Sequence, residues 1–287
     1  MIWTRLRIAS TAGNSTRSNA NSKSAVGFAA LALVMTAALF SAGCRKAGTN
    51  TSTEAKPGPA TAYTPIDYAT SGTIAGMIRF PKSAPARIQI DMAQDPVCGI
   101  AADNFSEQYM VKNGGLQNVF VYVKEGLNGK VYAPSTSPVT LDQKGCRYTP
   151  HVIAVMVGQP VDFTNSDATM HNVHVMAEMN SSQSMDISQP PRGGETQRAF
   201  QKPETMIPVR CNNHPWMQAF INVAPNPFFA VTDENGHFEI KGLPPGTYTL
   251  VAVHEELGQQ TAQLTVTSQA TTTAQMSFTG GAGNMAQ

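Results

Sequence analysis

The sequence predicts an all-β protein: a Greek-key β-sandwich followed by a smaller C-terminal β-sandwich. Three observations carry this. From Gly72 onward, short runs of alternating apolar and polar residues recur between Gly, Pro, Asn and Asp, the pattern of half-buried strands. No stretch sustains a helical apolar period. Only 14% of the residues are charged, while the chain holds 23 Gly and 19 Pro, a composition that favours strands and turns.

Residues 1–44 read as a secretory signal peptide. Arg5, Arg7, Arg17 and Lys23 occur there with no acidic residue, and the apolar run at 25–40 has sixteen residues. A membrane-spanning helix needs roughly 20. The run Ser41-Ala42-Gly43-Cys44 resembles the lipobox of bacterial lipoproteins, which implies that Cys44 becomes the lipidated first residue; ordinary cleavage leaving a free Cys44 is the other reading. Arg45 beside it suggests sorting to the outer membrane. The expected location is the periplasm or cell surface, with the membrane reached only through the lipid anchor. Beyond the leader, 16 basic residues stand against 19 acidic ones, which excludes a nucleic-acid binder.

Residues 45–71 are mostly Gly, Ser, Thr, Pro and Ala. They hold too little apolar surface to order themselves and read as a flexible tether. A first domain is expected over 72–225, its N-terminal part to about residue 145 being an elaboration of the same sandwich or a small extra layer, with strands near 73–80, 119–123, 152–157, 161–165, 172–176, 206–210 and 219–223. Strands of this number and length close most naturally into a sandwich.

Two loops of that domain carry the chemistry. Cys211-Asn212-Asn213-His214-Pro215-Trp216-Met217 places a thiolate, an imidazole and a thioether on seven consecutive residues, and Met170-His171-Asn172-Val173-His174 offers another imidazole. Two imidazoles and one thiolate, with a weak axial Met sulfur, suit a copper ion that exchanges single electrons with little change of geometry. Strand parity separates the two upstream histidines. His171, Val173 and Val175 share one face and Met170, Asn172, His174 and Met176 the other, so His171 is expected to point inward with the valines. Ile207, Val209 and Cys211 share a face in the same way. The expected ligands of one type 1 copper are therefore His171, Cys211, His214 and Met217. Zinc seldom recruits a thioether.

With Cys44 assigned to lipid and Cys211 to metal, Cys98 and Cys146 remain as a disulfide, the expectation in an oxidising compartment, or as two separate buried thiols. Met170, Met176, Met179 and Met185 around the first loop read as adaptable packing, with a soft Cu(I)-holding surface as the alternative. His151 and His237 have no evident partner and read as structural. His254-Glu255 lacks the second histidine of a zinc-protease helix, residue 258 being Gly.

The segments Tyr148-Thr149-Pro150-His151-Val152-Ile153 and Gly158-Gln159-Pro160-Val161-Asp162-Phe163-Thr164-Asn165 are similar to the paired strands before the first histidine ligand of cupredoxins. Together with the Cys-x2-His-x2-Met spacing and Pro215, they make residues 147–223 resemble the amicyanin type of that blue-copper family. The resemblance implies a cupredoxin-like sandwich in which Asn172 hydrogen-bonds across to the cysteine loop. Pro215 would stiffen that loop, and Trp216 would add an apolar docking surface beside an exposed His214 edge, the expected electron exit. It also implies redox protein partners, such as a dehydrogenase donor and a cytochrome acceptor. With four coordination positions filled by protein and no catalytic set, the expectation is an electron carrier rather than an enzyme.

After residue 225 the pattern changes. Val231-Thr232-Asp233-Glu234-Asn235-Gly236-His237-Phe238-Glu239-Ile240 reads as strand, turn, strand with an Asn-Gly hairpin. Gly242-Leu243-Pro244-Pro245-Gly246 makes a second turn, before alternating Tyr248, Leu250 and Ala252. Residues 226–280 resemble the carboxypeptidase regulatory-like module, a small transthyretin-type β-sandwich, and 281–287 read as a disordered tail. Some fifty residues enclose little core, so this module is expected to pack on the copper domain. Two other functions stay open: a copper-binding or homeostasis lipoprotein, and an adhesive or carbohydrate-binding surface protein whose metal only stabilises the fold.

Overall fold

The computed structural model describes residues 62–279. The leader, Cys44 and the tail 281–287 lie outside them. Among the described residues there is no α-helix, only two 3-10 turns at Cys98–Ile100 and Ser181–Gln183, and no helix is long and apolar enough to cross a membrane. The protein is all-β.

The chain lays down β1 (Gly72–Arg79), β2 (Val111–Lys112), β3 (Gly115–Leu116) and β4 (Phe120–Glu125). It continues through β5 (Val139–Gln143), β6 (Tyr148–Thr149), β7 (Val152–Met156), β8 (Pro160–Asn165) and β9 (His171–Val175). Then come β10 (Met185–Gln189), β11 (Glu195–Ala199), β12 (Glu204–Arg210) and β13 (Gln218–Ala224). It ends with β14 (Phe229–Val231), β15 (His237–Leu243), β16 (Gly246–His254), β17 (Gly258–Val266) and β18 (Thr271–Ser277).

The middle strands form one sandwich. Its sheets run β10-β9-β12-β13-β7 and β11-β8-β5-β6. Between them Leu141, Phe163, Val173, Val175, Ile207, Val209 and Ile221 share a core, each taken from alternate positions of its strand as period-2 burial requires. The ladders β13–β7 and β5–β8 are parallel; the other pairs in this sandwich are antiparallel.

The second sandwich takes strands from both ends of the described chain, which corrects the expected boundaries at 72–225 and 226–280. β1 lies between β15 and β18, pairing antiparallel with the first and parallel with the second. β4 lies between β14 and β16. Both sheets of this sandwich therefore draw an inner strand from residues 72–125; without them β14, β15 and β18 would lack their partners, and β16 would keep only β17. Ile74, Ile78, Leu116, Val121 and Val123 join Phe238, Ile240, Leu250 and Ala274 in its core. The first sandwich is an insertion between β4 and β14.

The two sandwiches share a third apolar cluster. Phe120 on β4 and Val251 and Val253 on β16 meet Ala224 at the end of β13, with Ala154 and Met206 packed against them. β4 and β16 thus bury both faces, Val121 and Leu250 into their own core and Phe120 and Val251 towards the neighbour. This is why residues 119–123 and 250–253 are apolar without alternation. His151 and Glu255 add a buried polar link across the same junction: their side chains bond through Nε2 and Oε1, and Nδ1 of His151 faces the Gln218 carbonyl at 3.1 Å.

Two local expectations change. The tether was expected to reach residue 71, but 62–71 are ordered: the Thr64 N–H donates to the Val131 carbonyl, Asp67 caps its own turn through Ala69 and Thr70, and Ile66 packs on the second core. Gln269 adds to this by donating to the Tyr68 and Ala69 carbonyls. The Asn235-Gly236 turn has a positive φ only at Gly236, and the strands beside it lie in different sheets. It is a crossing between sheets, closed by Asp233 Oδ1 accepting the Asn235 and His237 N–H groups, not a hairpin.

His254, 2% exposed, sits near Tyr109 and Phe278 with its Nδ1 accepting the Glu256 N–H. Burial holds its imidazole neutral and pushes its pKa down to about 4, against the attraction of Glu255 and with help from His151. The folded-state value lies below the ordinary 6.5 or so, so stability from this group is complete above that pH and is lost as pH falls towards 4. The full loss amounts to about 3 kcal/mol. Denaturant titrations of the wild type and His254→Asn between pH 7 and 4 should show a shallower acid decline in the variant; parallel curves would refute this.

Candidate metal centre

The donor groups converge at one end of the first sandwich. His171 opens β9 and is fully buried, whereas His174 on the same strand lies on the half-exposed face and meets Asn212 through Nδ1. Cys211 follows β12, whose Ile207 and Val209 enter the core, and its sulfur is buried with them. The loop then closes on itself: the Met217 N–H donates to the His214 carbonyl at 2.9 Å and the Cys211 N–H to the Met217 carbonyl at 3.3 Å. His214 is 5% exposed and Met217 1%. Donor atoms of His171, Cys211 and His214 lie within 4.8 Å of one another, and all three residues are buried.

The orientation of the two imidazoles is the decisive detail. Their Nδ1 atoms face each other at 2.9 Å, with Cys211 Sγ 3.6 Å from Nδ1 of His214. Each outer Nε2 faces a carboxylate: His171 meets Asp167 Oδ2 at 2.8 Å and His214 meets Asp95 Oδ2 at 3.2 Å. A carboxylate only accepts, so it assigns the ring N–H to Nε2 and leaves each Nδ1 as a lone pair. Two lone pairs and a thiol sulfur directed into one dry space repel unless a proton or a cation sits among them. The donor set therefore fits a metal ion that takes imidazole and thiolate.

The surroundings are built to hold this arrangement. Asp167 is fixed by the Gly145 and Cys146 N–H groups, which donate to its two oxygens at 2.7 and 2.8 Å. Asn165 anchors the same loop, donating to the Thr169, Gln189 and Pro190 carbonyls while its Oδ1 accepts the Asp167 N–H. Burial lowers the pKa of His171, and the facing His214 adds to this against the pull of Asp167. Burial works against ionised Asp95, but hydrogen bonds from Thr169, the Val97 N–H and His214 prevail and hold its carboxyl at about 2. Asn172 reaches the cysteine loop: its backbone N–H points at Cys211 Sγ at 3.3 Å, and its Oδ1 accepts the Asn212 N–H at 3.2 Å.

Asp95 and Asp167 did not figure among the sequence-derived candidates. Asp167 stands four residues before His171 in the loop between two strands, a signal that was available. Asp95 has no local signal, because it comes from the irregular segment 81–110. That segment crosses the metal end of the first sandwich, tucks Met92 and Cys98 into its core, and is joined to the β5–β6 turn by the Cys98–Cys146 disulfide. Arg147 reinforces the join through the Asp103 and Phe105 carbonyls and the Glu107 carboxylate.

This cover corrects the expectation of an exposed His214 edge. The Nε2 atom that would have faced solvent faces Asp95 instead. Trp216 is also tied down, its indole N–H donating to the Cys146 carbonyl at 3.2 Å and its ring centre 5.2 Å from that of His214. With Pro215 it lines a groove of about 230 Å³ that also touches Ile88, Arg147 and His151. The methionines near the first loop divide: Met185 enters the core, while Met170 and Met179 are exposed. His151, expected to be without a partner, bonds Glu255.

Residues 212–279 match the carboxypeptidase regulatory-like domain, a span that begins in the cysteine loop and runs through β18. No curated protein matches the chain. Among solved structures, a point mutant of amicyanin in its reduced Cu(I) form at pH 4 aligns at 21% identity over 32% of this chain and 91% of that one, with a TM-score of 0.28. A second amicyanin mutant in the Cu(I) state aligns at 20% identity over the same shares, also with a TM-score of 0.28. A Cu-containing nitrite reductase from Thermus scotoductus SA-01 aligns at 25% identity over 34% of this chain and 24% of that one, with a TM-score of 0.26. Each likeness spans about a third of the chain.

Proposed function

We propose that this chain is an extracytoplasmic type 1 copper protein that carries single electrons between redox proteins and is held at the membrane by a lipid on Cys44. The observation that carries the reading is the pair of buried Nδ1 lone pairs, 2.9 Å apart beside Cys211 Sγ, with both outer ring nitrogens capped by carboxylates. His171, His214 and Cys211 would hold the ion, and Met217, buried in the same core cluster as Cys211, would offer a weaker thioether donor. Copper bound there provides a one-electron couple at ordinary potentials. The chain's own part is to exclude water, fix both imidazoles and keep the sulfur in one place, so that little has to move when the charge changes.

The Cys98–Cys146 disulfide suits an oxidising compartment, which supports the secreted reading. The partner is a redox protein, a dehydrogenase or a cytochrome, and it approaches a covered site rather than a bare histidine edge. The decisive measurement is the spectrum of the copper-loaded, oxidised full-length protein. An intense visible thiolate-to-copper band is expected, and Cys211→Ser should abolish it. A colourless protein holding one zinc would overturn the reading.

A further inference from the structure

The hydrogen bonds that fix the two imidazoles converge on one covalent link, the Cys98–Cys146 disulfide: Asp95 lies on the Cys98 arm, and Asp167 is held by the backbone N–H of Cys146. Cys98 stands three residues after Asp95, which caps His214. The Cys146 N–H donates to the Asp167 oxygen that caps His171. The disulfide sulfurs lie close to both rings: Cys98 groups with Asp95 and His214, and Cys146 with Asp167 and His171, each set having donor atoms within 4.8 Å of one another. Asp95 is further held by Thr169 Oγ1 at 2.7 Å and by the Val97 N–H at 2.8 Å, and Thr169 belongs to the loop that carries Asp167. The two carboxylates are one cross-linked frame around the donor set.

Resting on the copper reading above, we infer that Asp95 and Asp167 are positioning residues that keep both Nδ1 atoms turned to the ion and set its potential by favouring the more highly charged oxidation state. A ring N–H donated to a carboxylate makes the opposite nitrogen a stronger donor. Two negative charges in a partly buried setting also stabilise a dication more than a monocation, because the attraction scales with the charge and is weakly screened there. Both effects act in the same direction. The cover contributes a second consequence: His214 cannot swing away when the ion is reduced, since its outer nitrogen is held from the far side.

The test uses the full-length protein loaded with Cu(II), Cu(I) and, as a redox-inert reporter of the thiolate, Co(II). Asp95→Asn keeps the size of the side chain and one oxygen for the Val97 N–H, but removes the charge and the second oxygen, which Thr169 and His214 share. It should retain the Cys211 thiolate-to-metal bands and bind Cu(II) about tenfold to a hundredfold more weakly, with a smaller loss for Cu(I). The reduction potential should then rise, by about 59 mV for each tenfold difference between the two losses. Asp167→Asn should shift it in the same direction, and Asp95→Glu should restore part of the wild-type value. Asp103→Asn is the control for simple anchoring of the cover, because Asp103 pairs with Arg147 of the first sandwich and with Arg87 without touching either imidazole; it should leave the potential in place. A coloured wild type whose Asp95→Asn variant keeps its potential and affinities would overturn the inference and leave the copper reading standing, as would an Asp103→Asn shift as large as that of Asp95→Asn. A wild type without thiolate bands in either Cu(II) or Co(II) would overturn both.

Discussion

A chain ending at Pro225 should lose the fold of residues 72–125 rather than merely its last module. In such a chain β1 has neither β15 nor β18, and β4 has neither β14 nor β16. Ile74, Ile78, Phe120, Val121 and Val123, all fully buried in the intact protein, would face water. At about 1.5–3 kcal/mol for each large apolar side chain, their exposure costs roughly 10 kcal/mol, as much as the whole stability of an ordinary domain. β4 is the worst case, because it loses cover on both faces and presents an unpaired apolar edge. The truncated protein should aggregate on expression, and proteolysis of any soluble fraction should remove residues 62–125 first. A monodisperse product with slow amide exchange across 72–79 and 120–125 would show that these strands find partners elsewhere.

The reason this arrangement was not legible in the sequence is specific. The alternation in residues 72–79 marks a strand but says nothing of its neighbour, and β18 lies some 200 residues later in the chain. Partner choice is a property of the closed sandwich, in which strands from both ends of the described chain pair across the inserted domain. The unbroken apolar runs at 119–123 and 250–253 were the available trace, since a strand that buries one face alternates and these do not. The metal end behaves differently. Cys211, His214 and Met217 share one short loop, so spacing alone brings them together, and period-2 parity suffices to turn His171 inward and His174 outward. Asp95 is placed by a disulfide, the contacts of Arg147 and a threonine from another loop, none of which leaves a periodic mark on residues 81–110.

Replacing both Cys98 and Cys146 by Ala should produce the second large effect, and it should reach the metal end as well as the stability. The link closes a sequence separation of 48 residues, and removing a cross-link of that span restores chain entropy to the unfolded state worth about 4 kcal/mol. The loss is not confined to the unfolded chain. Freed from Cys146, the segment carrying Met92, Asp95 and Cys98 keeps the packing of Met92 and its side-chain contacts to Arg147, Thr169 and His214, contacts that are mostly partly exposed and individually weak. The cover should open, uncapping His214 and giving solvent a path to Cys211, which is 3% exposed in the closed protein. Two measurements separate these effects. The denaturant midpoint of the metal-free variant should fall, and a water-soluble thiol reagent should modify Cys211, located by peptide mass, far faster than in the wild type. A variant that is less stable yet equally resistant at Cys211 would mean that the cover is seated by its own packing; one with an unchanged midpoint would remove the disulfide from the account of stability altogether.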